Sequence, residues 1–253
     1  MKKSFLDHQN ALLTVMLQCK APEIAIGRIY NALHCGAEAF GLQVESLQKE
    51  YQNEKTYKKI LDAMQGKPVY VTNYRRSSSN ADKTDDELAA GLLALADCGA
   101  TLCDVMGDLF DKQPDELAVS EKAIQKQMHL IDQLHQKGAE VLMSSHVLKF
   151  TPAERVLEIA MEHKRRGADI VKIVTAADNM EQQIENLRIT NLLKENLDAP
   201  FLFLSIGESA IHRRIGMHLG NCIHLCVYEH DAYSTVQQPL LSTSRTIRDG
   251  LGF

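Results

Sequence analysis

The sequence predicts a (β/α)₈ barrel, a single domain over residues 1–253. Three observations predict it. Eight short apolar runs recur along the chain with helical stretches between them. Glycines stand where those helices should end and the next strand should begin. A chain of 253 residues is the size that eight β–α units need. A doubly wound open sheet shares the alternation, but no Gly-rich dinucleotide loop opens any helix here.

The first run is Leu12–Leu17. Pro22 then suits a helix's first turn, and Glu23–Cys35 carries apolar residues at Ile24, Ala25, Ile29, Ala32 and Leu33, one helical stripe. Gly36 follows, a left-handed cap before the second run, Ala39–Val44. Gly66 precedes the third, Val69–Thr72, after which Ser77-Ser78-Ser79-Asn80 reads as the most flexible loop. Helical periodicity over Glu87–Cys98 ends at Gly99, and the fourth run is Thr101–Val105. A helix over Ser120–Lys137 stops at Gly138 before the fifth run, Val141–Ser145, which delivers His146. Thr151-Pro152-Ala153-Glu154 has the spacing of a capping box, and Gly167 closes that helix. The last three runs are Ile170–Val174, Phe201–Ser205 and Cys222–Val227.

Composition excludes several functions. A formal net charge of -5 without a basic stripe argues against nucleic-acid binding. No apolar run approaches the roughly 20 residues of a membrane span, and Asp7 to Asn10 break any leader-like start. The expectation is a cytoplasmic protein. The six scattered cysteines read as buried free thiols. Cys222, His224 and Cys226 alternate along the eighth run and share one face, but without paired metal-ligand spacing they read as small residues filling the barrel interior, and no metal or cofactor is expected.

The chemistry concentrates in one strand–helix–strand unit. Lys172 lies inside the apolar strand Ile170–Val174, where burial disfavours the ammonium and frees an amine to attack a ketone. His146 ends the preceding strand, where a neutral imidazole can take an α-proton and later return it. Parallel neighbours lie about 4.8 Å apart, so both side chains can reach one small ketone. After the seventh run, Arg214 offers two parallel hydrogen bonds to a carboxylate, whereas Arg213 reads as a surface ion pair. Ser234 and Gln238 occupy the loop after the eighth.

The strand–His…Gly167-Ala168-Asp169-Ile170-Val171-Lys172 unit, with Thr151-Pro152 opening its helix, resembles type I 3-dehydroquinate dehydratase. The resemblance implies a barrel that dehydrates 3-dehydroquinate through a lysine Schiff base at Lys172, with His146 as acid and base. It places the carboxylate-binding arginine at Arg214 and carries the family's serine and glutamine onto Ser234 and Gln238. It also implies a small anionic keto-acid substrate and a homodimer.

Elsewhere the chain departs from the family pattern. Where the second strand would carry a glutamate and an arginine, it has Gly41 and Gln43. The third strand's arginine falls on Tyr74, with Arg75 one step late and able to compensate, as is Arg76. The glutamate that orients the histidine falls on Ser78; Asp104 and Glu45 are the carboxylates that would take its place. His146 is followed by Val147 rather than an acid or amide, and the fourth strand reads Asp104-Val105-Met106. Three functions follow: dehydration of 3-dehydroquinate, the same iminium chemistry on another small oxo-acid, or a catalytically weak barrel that binds a related ligand.

Overall fold

The computed structural model describes residues 3–208 and 211–251. Its eight strands are β1 (Leu12–Leu17), β2 (Ala39–Gln43), β3 (Val69–Thr72), β4 (Leu102–Met106), β5 (Glu140–His146), β6 (Ile170–Ala176), β7 (Phe201–Ile206) and β8 (Ile223–Cys226). The helices between and after them are α1 (Pro22–His34), α2 (Glu54–Ala63), α3 (Asp85–Asp97), α4 (Glu121–Gln136), α5 (Ala153–Arg165), α6 (Met180–Asn196), α7 (Ile211–Leu219) and α8 (Leu241–Gly250). All strand pairs are parallel, in the order β7-β6-β5-β4-β3-β2-β1-β8. Between β7 and β8 the seam is closed by a Phe201–Asn221 bridge and by the Asn221 side-chain amide, which donates to Phe203 O and accepts from Phe203 N–H. An amide side chain there does the work of a missing ladder rung.

The left-handed glycines stand where the sequence requires them. Gly36, Gly66, Gly99, Gly138 and Gly167 all have positive φ, between 70° and 109°, a region closed to most other residues. Pro22 opens α1 as expected. The capping box, however, forms at Thr84 and Glu87 on α3, not at Thr151. Thr151 Oγ1 donates to Lys149 O, and Glu154 pairs with Arg188 across to α6. The serine-rich loop after β3 is pinned rather than loose: Ser77 and Ser79 hydroxyls donate to Glu45 O, and buried Asn80 bonds Asn73 and Tyr74 O.

The core has two layers, as burial on both faces of a parallel sheet demands. Phe40, Leu42, Val71, Val105, Val141 and Met143 face the helices. Leu12, Met16, Tyr70, Leu142, Val174 and Leu225 fill the barrel, with Phe5 packed against them. Cys226 and His224 point outward rather than into the barrel: His224 Nε2 lies 2.9 Å from Ser244 Oγ on α8, and Cys226 Sγ is 3.5 Å from Thr14 O. Strand parity decides this, since Ile223 and Leu225 take the interior. No helix among the described residues is long and apolar enough to cross a membrane.

Candidate active site

The register of β5 against β6 places Ser144 beside Lys172 and His146 beside Val174. Side chains two apart on a strand share a face, so Ser144, His146, Lys172 and Val174 all point into the barrel. His146 and Lys172 line one cavity of about 170 Å³ at the carboxyl ends of the strands. That is the end at which barrels of this class assemble their sites. A larger groove, about 480 Å³, lies outside the barrel between α3 and α4 and contains none of these residues.

Lys172 is held by three oxygens. Its Nζ donates to Tyr74 Oη at 2.7 Å, to Tyr70 Oη at 2.9 Å and to Asp104 Oδ2 at 3.3 Å. Both phenols donate in turn to Asp104 Oδ2, while Ser144 Oγ donates to Asp104 Oδ1 at 2.5 Å. This network matches a resting ammonium–carboxylate pair bridged by two hydroxyls. Burial lowers the lysine's pKa from its usual value, Asp104 opposes that, and Arg76 reinforces it. Burial, then the charge of Asp104, raises both phenols well above their usual range, so they stay protonated.

His146 does have an orienting carboxylate, and it is neither Asp104 nor Glu45. Glu116, in the loop between β4 and α4, accepts from His146 Nδ1 and from its backbone N–H, both at 2.8 Å. With the proton on Nδ1, Nε2 carries the lone pair. Burial, then the charge of Lys172, holds the imidazole well below its usual pKa, so it rests neutral. Asp104 serves Lys172 instead, and Glu45 accepts from Thr72 Oγ1. The Glu116 loop is itself clamped. Arg166, at the end of α5, donates to Gly107 O at 3.1 Å and Ala118 O at 2.8 Å, and Ser145 Oγ donates to Glu116 O at 2.6 Å.

The remaining predicted residues divide. Gln238 lines the cavity, with a buried Oε1 that has no hydrogen-bond partner among the described residues. Ser234 does not line it; its hydroxyl is tied to Asp231 N–H and O in a turn, and Thr235 takes the lining position. Arg75 turns away, forked onto Asp85 at 2.9 Å and bonded to Asp108 at 3.1 Å. Its neighbour Arg76 lines the cavity, over the Tyr74 ring at 4.3 Å and 3.5 Å from Glu116.

The two arginines of α7 exchange roles. Arg214 is exposed, whereas Arg213 is buried and lines the cavity. Successive helix residues are about 100° apart, so only one can face the barrel. Arg213 Nε donates to Ser205 O at 2.7 Å. Among the described residues no carboxylate forms an ion pair with Arg213, and burial pulls its pKa down to about 10. Ser209 and Ala210, within the Gly207–Arg214 motif, lie outside the described residues.

The departures on β2 also acquire a physical reading. A Cβ on Gly41 would lie 2.1 Å from Met16 Sδ and 3.2 Å from the Tyr70 ring. The methionine and the phenol therefore occupy the space that an acidic side chain at 41 would use. Gln43 lines the cavity and accepts from Gln18 Nε2 at 2.6 Å.

Comparison with known proteins resolves the lineage. The type I 3-dehydroquinase family profile matches residues 13–251. The chain belongs to the type I 3-dehydroquinase family. It is 29% identical to a 3-dehydroquinate dehydratase of Syntrophotalea carbinolica over 161 residues, which is 62% of this chain and 59% of that protein. A 3-dehydroquinate dehydratase of Alkaliphilus oremlandii is 34% identical over 87 residues, 34% of each chain. The aligned segments thus span less than two thirds of these relatives. In fold the chain is similar to the Clostridium difficile type I 3-dehydroquinate dehydratase solved with covalently modified comenic acid. That comparison gives a TM-score of 0.81 at 16% identity, covering 96% of this chain and 93% of that one. Glu116 and Arg213 are the two that the sequence had not placed at the site, whereas it had offered Arg76 beside Arg75 as a compensating cation. Glu116 left one signal, an acid in the loop after the fourth strand, on the active face.

Proposed function

We propose that this chain is a Schiff-base hydro-lyase acting on a small anionic keto-acid, with 3-dehydroquinate as its substrate. The observation that carries the reading is the convergence of Lys172 and His146 on one cavity, with the histidine's base already oriented. The amine of Lys172 adds to the ketone and water leaves, giving an iminium. His146 Nε2 takes the α-proton, and the electrons of that C–H bond form an enamine. The enamine expels the β-hydroxyl, which leaves as water with the proton from His146. Hydrolysis of the conjugated iminium returns the amine. Glu116 offsets the imidazolium charge while it exists. Arg213, with Gln238, binds the substrate carboxylate in the place first expected of Arg214 and Ser234. A cytoplasmic homodimer accompanies this reading on family grounds, and sedimentation tests the second part.

One observation favours a second substrate within the same chemistry. Gly41 and Gln43 stand on β2 where the family pattern has a charged pair, with Met16 of β1 filling the space beside Gly41, and a site that loses hydrogen-bonding partners discriminates against the hydroxyls they served. Borohydride reduction with candidate ketones, followed by intact mass, tests both. A reduced adduct with 3-dehydroquinate that disappears in Lys172→Met supports the first substrate. An adduct only with other oxo-acids selects the second. Ligand binding with no adduct from any ketone would refute the lyase and leave a binding barrel.

A further inference from the structure

We propose that Tyr74 is a catalytic residue that carries protons between Lys172 and the oxygen leaving the substrate ketone, so that His146 handles only the carbon-bound proton and the β-hydroxyl. The proposal rests on the Schiff-base reading above. Three observations lead to it. Tyr74 Oη is the nearest oxygen to the nucleophile, 2.7 Å from Lys172 Nζ. It also donates to Asp104, whose other oxygen is held by Ser144. Of the two phenols on Lys172, only Tyr74 lines the cavity where a ketone would sit. Tyr70 makes the same pair of contacts from beneath, with its ring packed in the barrel core.

Proton bookkeeping closes without any outside donor. The resting pair is an ammonium, with three N–H protons, and the Asp104 carboxylate. The first proton passes through the Tyr74 hydroxyl to Asp104, freeing the nitrogen lone pair. The lone pair forms the C–N bond and the C=O π electrons move to oxygen. That oxygen takes a proton from Tyr74, which is resupplied from Asp104. The carbinolamine nitrogen then passes a second proton by the same route. Its electrons form C=N, the C–O bond breaks, and the oxygen leaves as water with both protons. The nitrogen keeps the third, and Asp104 ends as it began, a carboxylate. The ring of Tyr74 stands edge-on to His146 with centroids 5.2 Å apart. The two groups therefore border the same part of the cavity.

The test compares Tyr74→Phe with Tyr70→Phe. Each removes one hydroxyl from the same lysine and the same carboxylate. The rate at which borohydride-trappable adduct forms should fall about 10²-fold in Tyr74→Phe, the scale of a lost general acid–base, and only a few-fold in Tyr70→Phe. His146→Ala should lose exchange of the substrate α-proton into deuterated solvent. Equal losses in the two phenylalanine variants would mean that both hydroxyls merely position the lysine, which overturns the proposal. An unchanged rate in Tyr74→Phe overturns it too. Should Tyr74→Phe fail to fold, 3-fluorotyrosine at position 74 keeps the hydroxyl and acidifies it; the rate of adduct formation should then change with the acidity of that hydroxyl, and an unchanged rate refutes the role. Absence of any adduct in the unaltered protein is a different result, which removes the Schiff-base reading itself.

Discussion

Replacing Glu116 by glutamine isolates the charge that orients His146 from the geometry of its hydrogen bond. The Glu116 carboxylate accepts from Nδ1 and the backbone N–H of His146 at 2.8 Å each. Glutamine keeps an acceptor oxygen there, so the tautomer survives, but the imidazolium formed during proton transfer loses its counter-charge. A hydrogen bond to a charged group is worth about 1.5–3 kcal/mol and a neutral one about 0.5–1.5 kcal/mol. The transition state should lose roughly 1–1.5 kcal/mol, about tenfold in kcat. Alanine, which removes the oriented acceptor altogether, should cost about 10²-fold or more. A pH series gives an independent readout. Burial raises the Glu116 carboxyl above its usual value, against the pull of Arg76. The active form needs this group ionised and His146 neutral. As pH falls, protonation of Glu116 removes the active form, and burial brings that loss in above the ordinary glutamate range. The acid limb of kcat should lie above 4.5, the ordinary glutamate value, and should disappear in Glu116→Gln. Steady-state turnover of 3-dehydroquinate, read as enone absorbance, measures both effects. Unaltered kcat together with an unmoved acid limb in Glu116→Gln would refute the assignment.

Three further outcomes follow from the geometry. Gly41→Ala drives a methyl to 2.1 Å from Met16 Sδ, and the displaced thioether should cost about 1–3 kcal/mol in urea unfolding, most of it recovered by adding Met16→Ala. Glu45 is buried and its pKa is raised from 4.5 to about 7, so the folded state holds its proton more tightly than the unfolded one. Stability should thus fall as pH rises from about 4.5 through 7, and the Tm difference between Glu45→Gln and the unaltered protein should grow in the variant's favour across that window, then level off. If Arg213 binds the substrate carboxylate as proposed, Arg213→Gln removes a charge-assisted contact worth about 1.5–3 kcal/mol, which should appear as a rise in KM of roughly 10- to 100-fold, with kcat changed little.

The barrel was legible because its signals are local and repeat. Each strand run fell within one or two residues of a strand, and the positive-φ glycines marked the helix ends. Lys172 and His146 were legible for a related reason: a cation and an imidazole inside apolar strands stand out, and parity two residues apart puts both on one face. What failed lay in loops and at helix starts, where direction is set by partners distant in sequence. Arg75 and Arg76 are adjacent, and only the presence of Asp85 and Asp108 decides that the first turns away. Arg213 and Arg214 differ by one helical step, which a motif aligned by composition does not resolve. Glu116 reaches His146 from a loop whose backbone is held by Arg166, fifty residues further along the chain. Thr151 had the right spacing for a cap, but its hydroxyl found a nearer carbonyl at Lys149.

Charge around the cavity bears on how a family member that lacks so many polar residues could still bind the anion proposed for it. Arg76 faces Glu116, and Lys172 faces Asp104. These two pairs neutralise each other. Arg213 is the cation left over, buried and lining the same cavity without an ion-pair partner among the described residues. The acid and the arginine absent from β2 carried opposite charges, so replacing them by Gly41 and Gln43 leaves this balance unchanged. Losing the arginine at position 74 is different, because Tyr74 removes a positive charge beside Lys172. Losing that cation makes the ammonium harder to deprotonate, since a neighbouring positive charge pulls a lysine's pKa down as Arg76 does here, and the proton must then go to an Asp104 held by three hydroxyls. A carboxylate, the group proposed for the substrate, would meet Arg213 on the α7 side of the cavity, while Asp104 stays with Lys172.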